Sequence, residues 1–133
     1  MLIYIAGPYQ ADTPHQVKLN VVKAMRVARQ VYARGHTPLI PHLLYFWHEF
    51  LKCNDKYGLR AIGIRYSPLT RAQYLRIGLE YLARCDALLC YANSPGAAEE
   101  LKAAQQSQKQ IYFRVADIPE CGGIEGKGHD DSK

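Results

Sequence analysis

Apolar residues fall in short runs and helical stripes that alternate along the chain. Residues 2–6 (Leu-Ile-Tyr-Ile-Ala) end at Gly7-Pro8 and predict a buried strand. Thr13-Pro14-His15-Gln16 then reads as a helix start, with Thr as N-cap, Pro at the first helical position and Gln three after the cap. Val17, Val21, Ala24, Met25, Ala28, Val31 and Tyr32 recur at helical spacing behind it, and Gly35 stops the helix. A short strand is expected at 38–40 and a helix at 43–51, where the chain is apolar and aromatic. Residues 54–69, with Gly58, Gly63 and Pro68, read as a mobile loop. Thr70-Arg71-Ala72-Gln73 repeats the cap pattern and opens a helix to about Arg84. A continuous apolar strand follows at 87–91, then a turn at Ser94-Pro95-Gly96. A helix over about 97–107 and a last strand over 111–115 complete the pattern.

Strands alternating with helices imply a parallel sheet covered on both faces. The expected fold is therefore α/β, a flavodoxin-like or Rossmann-like three-layer arrangement with a four- to five-stranded parallel sheet. One domain is expected over residues 1–118, with a flexible, Gly-rich and charged C-terminal tail over 119–133. In such sheets ligands bind beyond the carboxyl ends of the strands. Two loops qualify: Gly7-Pro8-Tyr9 after the first strand, and residues 92–98 after the third.

Composition narrows the choice of partner. The 133 residues are 48% hydrophobic and 22% charged, which are ordinary globular values and exclude disorder over the whole length. No apolar run approaches the roughly 20 residues that span a bilayer, so no membrane segment is expected. Net charge is +5, with a pI near 9.1, but the basic residues are scattered rather than clustered. That distribution suits a solvated surface or one small anion better than a nucleic-acid face. Cys53, Cys85, Cys90 and Cys121 form no C-x-x-C pair, and His42 and His48 match no zinc spacing. No metal or cofactor is expected, and the thiols read as free in a reducing cytoplasm.

Ser94-Pro95-Gly96-Ala97-Ala98 leads directly into Glu99-Glu100. Amides at a helix N-terminus and the helix dipole favour an anion, and Ser94 adds a hydroxyl, so this segment could hold a phosphate. The same dipole would keep a nearby glutamate ionised, which suits a carboxylate nucleophile. Acidic residues near helix starts are also common capping aids, and Ser-Pro-Gly is common turn chemistry. In Pro41-His42-Leu43-Leu44-Tyr45-Phe46-Trp47-His48, Trp47 could stack a base and His42 or His48 could donate a proton. Tyr9 sits at the right strand end to touch a sugar or the glutamate.

The order of these features resembles the nucleoside 2-deoxyribosyltransferase superfamily. The resemblance covers about residues 2–115 and rests on Ile-Ala-Gly-Pro-Tyr after the first strand, Gly35-His36-Thr37-Pro38, Cys85-Asp86-Ala87-Leu88-Leu89, Ser94-x-Gly96-x-x-x-Glu100 and Gln108-Lys109-Gln110-Ile111. It implies Glu100, not Glu99, as a nucleophile that forms a covalent glycosyl-enzyme at C1′, the chemistry of a retaining glycosidase. It also implies that serine at position 94 contacts a 5′-phosphate, where transferases carry an aspartate for the free 5′-hydroxyl. The family's aspartate, which contacts the sugar and assists base departure, is replaced here by Gly78. Glu80, two residues on, points from another helix face. Asp86, at the amino end of its strand, reads as structural.

The expected function is thus an N-glycosidase acting on a nucleoside 5′-monophosphate, with no cofactor. The alternatives are a transferase exchanging bases and a non-catalytic nucleotide-binding sensor. Glu100, Tyr9 and His42 are the expected catalytic residues. Gly7, Pro8, Ser94, Gly96, Ala97, Ala98 and Trp47 are the expected substrate contacts. A homo-oligomer, most simply a dimer, is expected from the resemblance and from the surplus of apolar residues at 43–51.

Overall fold

Alternate residues of the first strand face opposite sides of a four-stranded, all-parallel sheet, and both sides are covered by helices. The computed structural model describes residues 1–52, 62–63 and 69–121. In chain order it comprises β1 (Leu2–Ala6), α1 (Pro14–Ala33), β2 (Thr37–Leu39), a 3-10 turn at Pro41–Leu43, and α2 (Leu44–Lys52). Then follow α3 (Arg71–Ala83), β3 (Ala87–Cys90), α4 (Pro95–Gln106), β4 (Gln110–Tyr112) and a 3-10 turn at Val115–Asp117.

The helix starts behave as their sequences dictate. Thr13 Oγ1 accepts from the Gln16 amide at 3.1 Å, and Pro14 occupies the first helical position. Thr70 and Gln73 form a reciprocal capping box, each side chain on the other's amide. Gly35 follows α1 with φ 92°, a left-handed conformation that costs glycine nothing.

The strand order is β2-β1-β3-β4. Ile3 lies opposite both Pro38 and Ala87, and Leu88 lies opposite both Tyr4 and Ile111. Right-handed crossovers from a central β1 put α1 on one face and α3 and α4 on the other. On the α1 face, Ile3, Ile5, Ala28, Val31, Leu89 and Ile118 form one buried cluster. On the other face, Tyr4, Ala6, Leu82, Leu88, Cys90, Ala97 and Ala104 form a second. Asp86 is structural as expected: its carboxylate accepts from the Leu2 amide and its own amide donates to the Leu2 carbonyl, both at 2.8 Å.

Several boundaries differ from the sequence reading. The sheet has four strands. α4 begins at Pro95, because Ser94 caps it, and β4 ends at Tyr112, giving way to the 3-10 turn. Pro119 to Cys121, assigned to the tail, are anchored: the His36 ring lies 2.6 Å from the Pro119 carbonyl and the Cys121 amide donates to Arg34 at 2.9 Å. The rest of the tail, Cys53 and most of the 54–69 loop lie outside the described residues. Cys85, Cys90 and Cys121 are free thiols. Among the described residues no helix is long and apolar enough to cross a membrane, and no group of three or more His, Cys, Asp or Glu side chains could hold a metal ion.

Candidate active site

The crossovers from β1 and β3 leave the sheet in opposite directions, so a crevice opens where their carboxyl ends part. A cavity of about 210 Å³ lies there. Gly7, Tyr9 and Gln10 line it from the loop after β1, and Ser94, Gly96, Ala97 and Glu100 line it from the start of α4. Arg71, Tyr74 and Leu75 close it from α3, with Pro41, His42 and Leu44 opposite.

Glu100 projects into this cavity, whereas Glu99 is exposed. Successive helical residues diverge by about 100°, so only one of the two can face the sheet. The Tyr4 hydroxyl, rising from β1, donates a short hydrogen bond to Glu100 Oε2. Burial pushes the Glu100 carboxyl up to about 7, and the Tyr4 hydrogen bond only partly offsets this. Burial, then the charge and hydrogen bond of Glu100, hold the Tyr4 phenol far above its usual range, so it stays a donor. This corrects the expectation that a helix dipole keeps Glu100 ionised. α4 starts at Pro95, placing Glu100 in the second turn, and desolvation dominates there.

Gly78 explains the pairing. A Cβ at this position would lie 2.6 Å from Tyr4 Oη and 3.0 Å from Glu100 Oε2. Glycine here leaves the room that the tyrosine–glutamate contact occupies. Tyr4 is the functional candidate that sequence reasoning missed. The signal was one hydroxyl-bearing ring in an otherwise aliphatic β1. Arg71, the cation at the first position of α3, was likewise not singled out.

The remaining expected residues separate into three groups. Tyr9, Gly7, Ser94, Gly96 and Ala97 line the cavity with Glu100. Tyr9 meets His42 edge to face at 5.8 Å and Tyr74 at 5.6 Å with a 58° tilt, forming an aromatic wall. Burial, followed by the neighbouring Tyr74 hydroxyl, keeps the Tyr9 phenol neutral. Gly7 is fixed by packing, since a Cβ there would overlap the Tyr91 ring.

His42 is buried, and its Nε2 lies 3.0 Å from the Pro8 carbonyl, which can only accept. Nε2 therefore carries the proton, and burial lowers the imidazole's pKa and keeps it neutral. Its single N–H anchors the Gly7-Pro8 loop, a positioning geometry rather than the proton donor expected from sequence. Pro8 contributes that carbonyl and does not line the cavity. His48 sits on α2 beside Glu49, away from the lining.

The third group falls outside. Trp47 is half exposed on α2 and Ala98 is exposed, and neither lines the cavity. The expected phosphate cradle of three amides is also reduced. The Ala97 amide donates to Ser94 Oγ at 3.1 Å and the Ala98 amide to the Ser94 carbonyl at 2.8 Å. The Gly96 amide and the Ser94 hydroxyl proton remain as donors, with Arg71 across the cavity.

Residues 1–114 match the profile of a domain of unknown function, DUF7768. The chain belongs to the DUF7768 family. Among curated proteins no match was found. The matched residues span the whole sheet and every described residue lining the cavity.

Proposed function

We propose that this DUF7768 protein cleaves the N-glycosidic bond of a nucleoside 5′-monophosphate, with Glu100 as nucleophile. The observation that carries the reading is a partly buried carboxyl, the one carboxyl on the described lining, held by Tyr4 and facing a cavity at the point where β1 and β3 part. Ionised Glu100 attacks C1′ from the face opposite the base. The C1′–N bond breaks and its electron pair leaves with the base. Tyr4 stays bonded to Oε2, which leaves Oε1 for the sugar and limits rotation of the carboxylate. Water then attacks C1′, the ester bond breaks, the carboxylate is restored, and the proton that the water loses balances the one that a neutral departing base takes up. Tyr9 and Tyr74 supply the wall on which a base stacks. Arg71, the Ser94 hydroxyl and the Gly96 amide supply donors for the phosphate. The proposed setting is the cytoplasm, and the proposed assembly is a homo-oligomer, which sedimentation at micromolar concentration tests directly.

A second reading, a nucleotide-binding module without turnover, draws on Gly78: among the described residues no second carboxyl lines the cavity. Incubation with nucleosides and nucleotides, with and without an acceptor base, separates the readings. Free base without acceptor supports hydrolysis, and a glycosyl adduct on the Glu100 peptide by mass spectrometry supports the covalent route. Exchange only with acceptor base moves the assignment to a transferase. Binding without release of base leaves the sensor reading and sinks the enzyme.

A further inference from the structure

The electrostatics of the cavity point to the kind of base that leaves, an inference that rests on the glycosidase reading above. Glu100 sits among apolar and aromatic groups, and its one polar partner among the described residues is the Tyr4 hydroxyl. A buried carboxylate without a cation is a costly arrangement, which a positively charged ligand relieves. The one cationic side chain on the described lining, Arg71, stands seven residues before Gly78 on α3, about 10 Å along the helix axis. It is placed for the far end of a ligand and not for Glu100.

Among the described residues, the acidic side-chain donors nearest the carboxyl are also committed. Tyr4 donates to Glu100, and the only N–H of neutral His42 donates to Pro8. Tyr9 is a half-buried phenol whose proton is held by desolvation and by the Tyr74 hydroxyl, a poor acid. The volume beside Glu100 that a carboxylic acid would need is occupied, since even a Cβ at Gly78 would crowd both Tyr4 and Glu100. A neutral base needs a proton to depart, an assistance of about 10²–10⁴-fold in rate. A base that already carries a positive charge needs none. The tilted rings of Tyr9 and Tyr74, 5.6 Å apart, present aromatic surface that favours such a ring.

We infer that the substrate is an N-glycoside of a cationic heteroaromatic base, a pyridinium or N-alkylpurinium, attached to a 5′-phosphorylated sugar. The step balances without an acid. Glu100 forms the bond to C1′, the C1′–N bond breaks, and its electron pair neutralises the ring, which departs as the free base. Water then replaces Glu100 at C1′ and releases one proton to solvent.

The test uses a matched pair that differs by one methyl group and one charge: 7-methylguanosine 5′-monophosphate and guanosine 5′-monophosphate. Release of base is followed chromatographically at pH 6.5, where the methylated base keeps its N1 proton and its positive charge. In parallel, 1-methylnicotinamide and nicotinamide, which have no glycosidic bond, are titrated into wild type and Glu100→Gln by NMR. We expect kcat/KM at least 100-fold higher for the methylated nucleotide. We also expect tighter binding of the cationic probe that Glu100→Gln abolishes. A smaller ratio, or no preference between the two probes, overturns this inference and leaves the glycosidase reading standing wherever base is released. Release from neither nucleotide overturns both.

Discussion

β1 sends Ile3 and Ile5 to one face of the sheet and Tyr4 to the other, and the two faces diverge from that alternation. Under α1 the strand meets Ala28, Val31 and Leu89, and Ile118 from the C-terminal turn seals the layer. Every side chain in that buried cluster is apolar. Under α3 and α4 the same strand presents a hydroxyl, α3 answers with a glycine, and α4 answers with a carboxyl. The first face gains stability from apolar area, at about 25 cal/mol per Å². The second surrenders part of that gain to hold an acid out of water. One residue of alternation in a five-residue strand thus separates a structural face from a chemical one.

The comparison breaks most completely at Glu100. Glu100→Ala is expected to lower release of base by on the order of 10⁴-fold or more, as loss of a nucleophile does, with the far-UV circular dichroism unchanged. Glu99→Ala, at an exposed position, is expected to retain near wild-type turnover. Equal loss in both variants would mean that the register of α4, not the Glu100 carboxyl, carries the activity.

The second expectation concerns stability and needs no substrate. Glu100 titrates near 7 in the folded chain, against an ordinary value of 4.5. Between these values the unfolded chain has released a proton that the folded chain keeps, so stability falls as pH rises from about 4.5 to 7 and then levels. The difference corresponds to on the order of 3 kcal/mol. Urea denaturation of wild type and Glu100→Gln across this window reads it directly. The slope should flatten in Glu100→Gln. Parallel curves would show that Glu100 ionises in the fold as it does in water. No such term arises from the buried cluster on the α1 face, which has no ionisable member.

Gly78→Ala and Gly7→Ala test the two faces by the same added methyl group. At Gly78 the Cβ meets Tyr4 Oη and Glu100 Oε2, so the hydrogen bond between them must open. Overpacking of this kind costs about 1–3 kcal/mol, and the better helix propensity of alanine returns up to about 1. Turnover should fall more than stability does. At Gly7 the Cβ overlaps the Tyr91 ring, which packs on the α1-face cluster, and the cost of about 1–3 kcal/mol has no helix propensity to offset it. Thermal denaturation alongside turnover separates the two. A Gly78→Ala protein with full activity would remove the Tyr4–Glu100 contact from the mechanism.

The α1 face was the more legible in the sequence. Val21, Ala24, Ala28 and Val31 repeat at helical spacing and are all buried, because an apolar layer imposes its period on the residues that form it. Thr13 and Thr70 were legible as caps for a similarly local reason, since each bonds an amide three residues on, whereas Ser94, read as part of a turn, caps α4 in the same way. The site was legible only where one element held it. The resemblance pointed to Glu100 over Glu99, both held by one helix, but Tyr4 and Gly78 acquire meaning only together, across elements some seventy residues apart. Read singly, Tyr4 is a strand residue and Gly78 a missing acid. Trp47 failed in the opposite sense: its type suggested stacking, while its place on α2 leaves it half exposed beside the site.

The smallest expected effect sharpens the comparison at the cavity itself. Gly96, at the second position of α4, has open space in front of it: a Cβ there meets nothing within 4 Å. Neither sterics nor backbone conformation requires glycine, in contrast to Gly7, which lines the cavity from the loop after β1. Alanine in a helix is favoured over glycine by roughly 0.5–1 kcal/mol, so Gly96→Ala should leave stability unchanged or slightly raise it. The added methyl would nevertheless stand beside the one unpartnered amide at the start of α4, where a phosphate would approach. A loss of about tenfold in affinity for a nucleoside monophosphate is therefore expected, with less change for the matching nucleoside. Calorimetric titration of both ligands, together with urea denaturation, measures the two quantities independently. A Gly96→Ala protein that binds the monophosphate as tightly as wild type would move the phosphate away from α4 and toward Arg71.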